Sequence, residues 1–195
     1  MCKRLYNDLK NWTRLPEQHR EAADYRRMFS ELSGETRLTE PIAELVERFG
    51  QSCFSCDREL AATAGGEDGY YLDHTLPVAY LWPLNLGPTL LCRTCNGNKS
   101  DQWPSMYYGG DETKLRRLAT LTGIPYATLA GEAKFNPEQI ERLKQDPDEV
   151  VTRWVRYPER LRGLRERILA RTGEDVFADA SEQALAAIGL NRSEE

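Results

Sequence analysis

Two Cys-x-x-Cys pairs, Cys53-Phe-Ser-Cys56 and Cys92-Arg-Thr-Cys95, constrain this chain more than any other feature of it. Two residues between cysteines let both thiolates reach one tetrahedral ion, and two such knuckles complete a closed site of four cysteines. A closed site leaves no coordination position for water or substrate, so zinc held there is expected to be structural. In a reducing compartment, paired spacings of this kind point to metal or redox chemistry rather than to disulfides. A thioredoxin-type reading needs one such pair in a βαβ setting, which the sequence lacks. Cys2 stands outside the pattern and reads as a free thiol.

The 35 residues between the pairs exceed the usual ribbon spacing of roughly 15–20. Something extra is held between the knuckles, and it contains Asp73-His74. Gly65, Gly66 and Gly69 punctuate a turn, after which Tyr70, Tyr71 and Leu72 favour a strand. Pro77, Pro83 and Pro88 disfavour regular structure until Thr89-Leu90-Leu91, and a short helix from about Arg93 must end near Pro104. The expected order is strand, loop, short strand, helix.

The fold class expected is α+β, with residues 51–110 as a finger between helical regions at 1–50 and 111–195. Helices are expected from about Pro16 to Leu32, closed by Gly34, and from Pro41 to Phe49, closed by Gly50. Further on, Asp111 caps a helix ending before Gly123, Asn136-Pro137 starts one that Pro147 stops, and Pro158 starts one that Gly173 stops.

A net charge of −5 argues against a nucleic-acid partner if taken alone. Its distribution is uneven. Between Arg153 and Arg171 seven arginines face only Glu159 and Glu166, and Lys3, Arg4, Lys10 and Arg14 face Asp8. Such runs serve either as solvated helix faces or as phosphate-binding patches. In the 158–172 segment Leu161, Leu164 and Ile168 form an apolar ridge with Arg160, Arg167 and Arg171 on one flank. These arginines therefore border a packed face rather than form one stripe. No stretch approaches the roughly 18 apolar residues of a membrane span, and a cytoplasmic protein with no membrane partner is expected.

Taken together, CxxC, YLDHTLP, WPLNL and LLCRTCNGNKSD, in that order, resemble the HNH (His-Me finger) endonuclease family over about residues 51–103. The resemblance implies a ββα-metal finger stapled by the zinc of Cys53, Cys56, Cys92 and Cys95. On it, His74 matches the general base, Asp73 the acidic ligand of a catalytic Mg2+ or Mn2+, and Asn85 the residue that pins the loop between the strands. Asn96 occupies the position where many members carry a final His, and is implied as a second ligand of that ion. Lys99, one helical turn on, is either a phosphate contact or a solvated lysine.

The implied activity is hydrolysis of DNA to 5′-phosphate and 3′-hydroxyl ends, with double-stranded DNA as partner and a homodimer as working unit. Arg160, Arg167 and Arg171 are the candidate phosphate contacts. A small stand-alone protein of this kind with helical flanks looks like a type II restriction endonuclease. The alternatives are a nicking or homing-type nuclease, a junction resolvase, and a non-catalytic zinc module. His19, the other histidine, reads as an exposed helical residue without a catalytic role.

Overall fold

A computed structural model describes residues 17–38 and 40–190. The expectations placed on Cys2, on the basic residues before Arg14 and at Arg14 itself, and on the side chain of His19 lie outside what it describes. The described chain is a mixed α+β protein with one three-stranded sheet and many helices. Among the described residues no helix is long and apolar enough to cross a membrane.

Helix α1 (Glu17–Leu32) ends because Gly34 adopts φ 69°, a left-handed conformation that glycine reaches without steric penalty. That turn folds the Glu35 amide back onto the Ser30 carbonyl at 3.1 Å. Helix α2 (Ile42–Arg48) follows Pro41 and places Leu45 and Val46 inward.

The sheet begins with β1 (Ala61–Ala64), whose four residues are all exposed. It was not expected from the sequence, because Ala-Ala-Thr-Ala carries no alternation of apolar and polar residues. The turn into β2 (Gly69–Asp73) leaves no room at Gly69, where a Cβ would stand 1.9 Å from the Gly65 carbonyl oxygen. Strand β2 runs antiparallel to β3 (Thr89–Leu91), pairing Tyr71 with Leu91, Leu72 with Leu90 and Asp73 with Thr89. Helix α3 (Arg93–Lys99) starts on Cys92, whose Sγ accepts the Cys95 amide at 3.4 Å.

Short helix α4 (Pro104–Tyr107) leads to α5 (Glu112–Thr122), capped by Asp111 and ended by left-handed Gly123. Then come α6 (Tyr126–Ala130), α7 (Pro137–Gln145), α8 (Pro147–Trp154), α9 (Pro158–Thr172) and α10 (Glu182–Ala187). Pro147 ends α7 as expected, yet it also opens α8. Asp146 accepts the Glu149 amide at 3.0 Å while proline occupies the first turn, where its missing N–H would have had no helical partner. Helices α4, α6, α8 and α10 were not anticipated.

Among the described residues two apolar clusters result. One joins α2, the cysteine knuckles, β2 and β3 to α5 and α6 through Leu45, Phe54, Leu90, Leu91, Trp103, Leu115 and Leu118. The other joins Met28, Phe29 and Leu32 of α1 to Phe135, Trp154, Leu161, Leu164 and Ile168. Packing therefore crosses the three segments marked out along the chain. The loop between β2 and β3 is wedged into both clusters, with Leu76 in the first and Leu81 in the second. Burial of one such side chain contributes about 1.5–3 kcal/mol, so the loop is held near its start and at its middle.

Candidate functional site

The Sγ atoms of Cys53, Cys56, Cys92 and Cys95 all lie within 4.8 Å of one another. Four sulfurs at about 2.3 Å from one tetrahedral ion are about 3.8 Å apart, and Cys56 and Cys92 are separated by 3.9 Å. The cluster therefore fits a metal ion such as zinc. Burial and the neighbouring Cys92 thiol push the Cys95 thiol up to about 12. Burial pulls Cys92 in the same direction, but hydrogen bonds from the Cys95 amide and from nearby thiols hold it below its ordinary value. Four sulfurs this close ionise together only if a cation compensates them.

Strand β2 ends on Asp73 with His74 next in the chain, and α3 packs against that strand. Lys99 of α3 reaches back with its ammonium 2.7 Å from Asp73 Oδ2 and donates to the His74 carbonyl oxygen at 2.8 Å. Lys99 is 1% exposed and Asp73 7%. Neither expectation for Lys99 survives: it is not a solvated lysine, and it has no surface to offer a phosphate. The reason is packing, because the turn of α3 that follows Cys95 faces β2. Burial pushes the Asp73 carboxyl up from its ordinary value, with the Lys99 ammonium opposing that shift.

This pair also decides how Asp73 meets its implied role. A divalent cation needs a carboxylate oxygen with room around it, whereas Asp73 is sealed and its Oδ2 faces an ammonium. Asn96, the other implied ligand, is half-buried on α3, and among the described residues its side chain makes no hydrogen bond. As they stand, Asp73 and Asn96 do not fit a divalent ion.

His74 is half-buried, and its Nε2 lies 3.4 Å from Glu35 Oε2. Glu35 also accepts the Ser30 hydroxyl at 2.7 Å. Burial alone would raise the Glu35 carboxyl, but its hydrogen bonds with His74 and Ser30, and the charge that His74 carries when protonated, hold it below its ordinary value. Sequence reasoning missed Glu35. The only signal was its position just past the helix-ending Gly34, since its partner is 39 residues away.

Asn85 is exposed, and its Oδ1 accepts the Thr36 amide at 3.3 Å. It therefore ties the loop to the segment after α1 and not to the strands. Thr75 closes the loop instead, donating to the Gly87 carbonyl at 2.6 Å and hydrogen-bonding the Thr89 hydroxyl. Strand pairing places Thr89 opposite Asp73, which explains why a threonine from each side of the loop meets there.

The candidate phosphate-binding arginines are exposed on α9, but much of their hydrogen bonding is internal. Arg171 donates to the Ala133 carbonyl at 3.0 Å, and Arg167 donates to the Ala79 carbonyl while lying over Tyr80 and Phe135. Nearby, Arg165 forms a two-bond pair with Asp175 at 2.5 and 2.7 Å. Arg160 is exposed and also makes an interaction of its own.

No family model, curated protein or solved structure compared with the chain matches it.

Proposed function

We propose that this chain is a DNA endonuclease of the HNH type that hydrolyses phosphodiester bonds with His74 as general base. One placement supports it above the rest. A half-buried imidazole, with one ring nitrogen on a carboxylate, stands at the end of β2 in a loop framed by four clustered thiols. Zinc on Cys53, Cys56, Cys92 and Cys95 would clamp β3 and α3 to the preceding knuckle and so fix the path of that loop. Its role is structural, because four sulfurs leave it no open position.

Neutral imidazole is the side chain suited to taking a proton from water near pH 7. With Nε2 engaged by Glu35, Nδ1 of His74 is the nitrogen able to accept it. The deprotonated oxygen attacks phosphorus, the bond from phosphorus to the 3′ oxygen breaks, that oxygen takes a proton from solvent water, and the His74 imidazolium returns its own proton to solvent. The products are a 5′-phosphate and a 3′-hydroxyl. A Mg2+ or Mn2+ ion on Asp73 and Asn96 would require Lys99 to leave Asp73.

The substrate in this proposal is double-stranded DNA, with α9 facing the phosphates. One chain has one His74, so a double-strand break at a discrete site, the type II restriction behaviour, most simply needs two chains about a two-fold axis. A supercoiled plasmid incubated with the purified chain, with Mg2+ and with EDTA, tests this. Linear fragments with 5′-phosphate ends are expected. Nicked circles would favour a nicking enzyme, and an uncut plasmid in every condition would overturn the proposal. The sealed Asp73–Lys99 pair favours the second reading, a non-catalytic zinc module, in which case the plasmid stays intact.

A further inference from the structure

We propose that Glu35 is a positioning residue that fixes His74 in its Nε2–H tautomer and so presents Nδ1 as the proton acceptor. Its catalytic meaning rests on the nuclease proposal above; the tautomer itself does not. An ionised carboxylate can only accept hydrogen bonds. The 3.4 Å approach of His74 Nε2 to Glu35 Oε2 therefore puts the ring proton on Nε2 and leaves the lone pair of neutral imidazole on Nδ1.

Three independent constraints hold Glu35 in place. The left-handed turn at Gly34 closes the Glu35 amide onto the Ser30 carbonyl at 3.1 Å. The Ser30 hydroxyl binds the same carboxylate oxygen that faces His74, at 2.7 Å. Next in the chain, the Thr36 amide binds Asn85 Oδ1 at 3.3 Å, anchoring this segment to the far side of the His74 loop. Helix α1 beneath it is fastened by Met28, Phe29 and Leu32, all buried. The C-terminus of α1 thus belongs to the site, although it lies outside the stretch bounded by the cysteines. When Nδ1 takes a proton the ring becomes a cation, and a carboxylate on its opposite edge stabilises that charge.

Histidine labelled with 15N gives the direct test, because the chain has two histidines and His19→Gln assigns the signals. At a pH where the ring is neutral, His74 should show Nε2 at the protonated shift and Nδ1 at the unprotonated one. Glu35→Ala should move both nitrogens toward the averaged values of a mixed tautomer. Glu35→Gln keeps an acceptor and should preserve the Nε2–H form. In cleavage assays Glu35→Ala should lower kcat about 10–100-fold with KM little changed, and Glu35→Gln should fall between it and the parent, a range in keeping with loss of orientation around a general base. An Nδ1–H tautomer in the parent protein, or no change on Glu35→Ala, overturns the inference even if the protein cuts DNA. The expected tautomers in a protein that cuts nothing would leave the positioning intact and remove the nuclease proposal.

Discussion

Lys99 Nζ lies 2.7 Å from Asp73 Oδ2, with both side chains almost sealed from water. Two charges withdrawn from solvent are tolerable only together. The same ammonium holds the His74 carbonyl, so the pair braces α3 against the end of β2 and sets the backbone from which the His74 ring projects.

Removing one partner should therefore be severe. Lys99→Met or Asp73→Asn is expected to destabilise the fold by about 3–5 kcal/mol, since either one leaves a polar group buried without its partner. The double variant Asp73→Asn/Lys99→Met should be much less damaging than the sum of the two. Urea unfolding of all four proteins measures this coupling. Additive losses would show that the two side chains do not act as a pair.

The cysteine cluster makes a separate prediction. Metal analysis of the purified protein should find one tightly bound zinc per chain. Cys53→Ser or Cys95→Ser should release it and unfold the region around β2, β3 and α3, because metal binding and folding are coupled at such sites. A folded, soluble protein without zinc would contradict that role.

The Arg165–Asp175 pair predicts a pH signature remote from the site. Burial would raise the Asp175 carboxyl, but hydrogen bonds from Arg165 and the Phe177 amide, with the Arg165 charge, hold it below its ordinary value of 3.8. A carboxylate lowered in the folded state adds stability above that value and loses it as the pH falls through the folded pKa. Asp175→Asn should thus lower stability by about 1 kcal/mol at neutral pH. Its difference from the parent should shrink in thermal melts as the pH falls further below 3.8. A constant difference across that range would mean that the charge of Asp175 contributes nothing.

What the sequence reveals here follows from the range of each interaction. The knuckles depend on spacings of a few residues, and the capped helices α5, α7 and α9 on signals at their own ends, so both could be read directly. Strand β1 could not, because its exposed Ala-Ala-Thr-Ala has no periodicity to detect. Helix α8 was hidden because Pro147 reads as a stop, although with Asp146 it also makes a start. At the candidate site, His74 and the cysteines could be singled out from local context. Burial of Lys99 depends on how α3 meets β2, and Glu35 meets His74 only after α1 has docked on helices from the other end of the chain. The segment carrying a charge does not determine whether that charge faces solvent or a partner.

The most direct measurement is plasmid cleavage by His74→Ala, run beside the parent protein with zinc content and folding checked in both. The variant should keep its zinc, fold and DNA binding while losing cleavage on the order of 10²–10⁴-fold, the usual contribution of a general base. A His74→Ala protein that cuts as fast as the parent would contradict the assignment of His74 as the base and favour the non-catalytic zinc module.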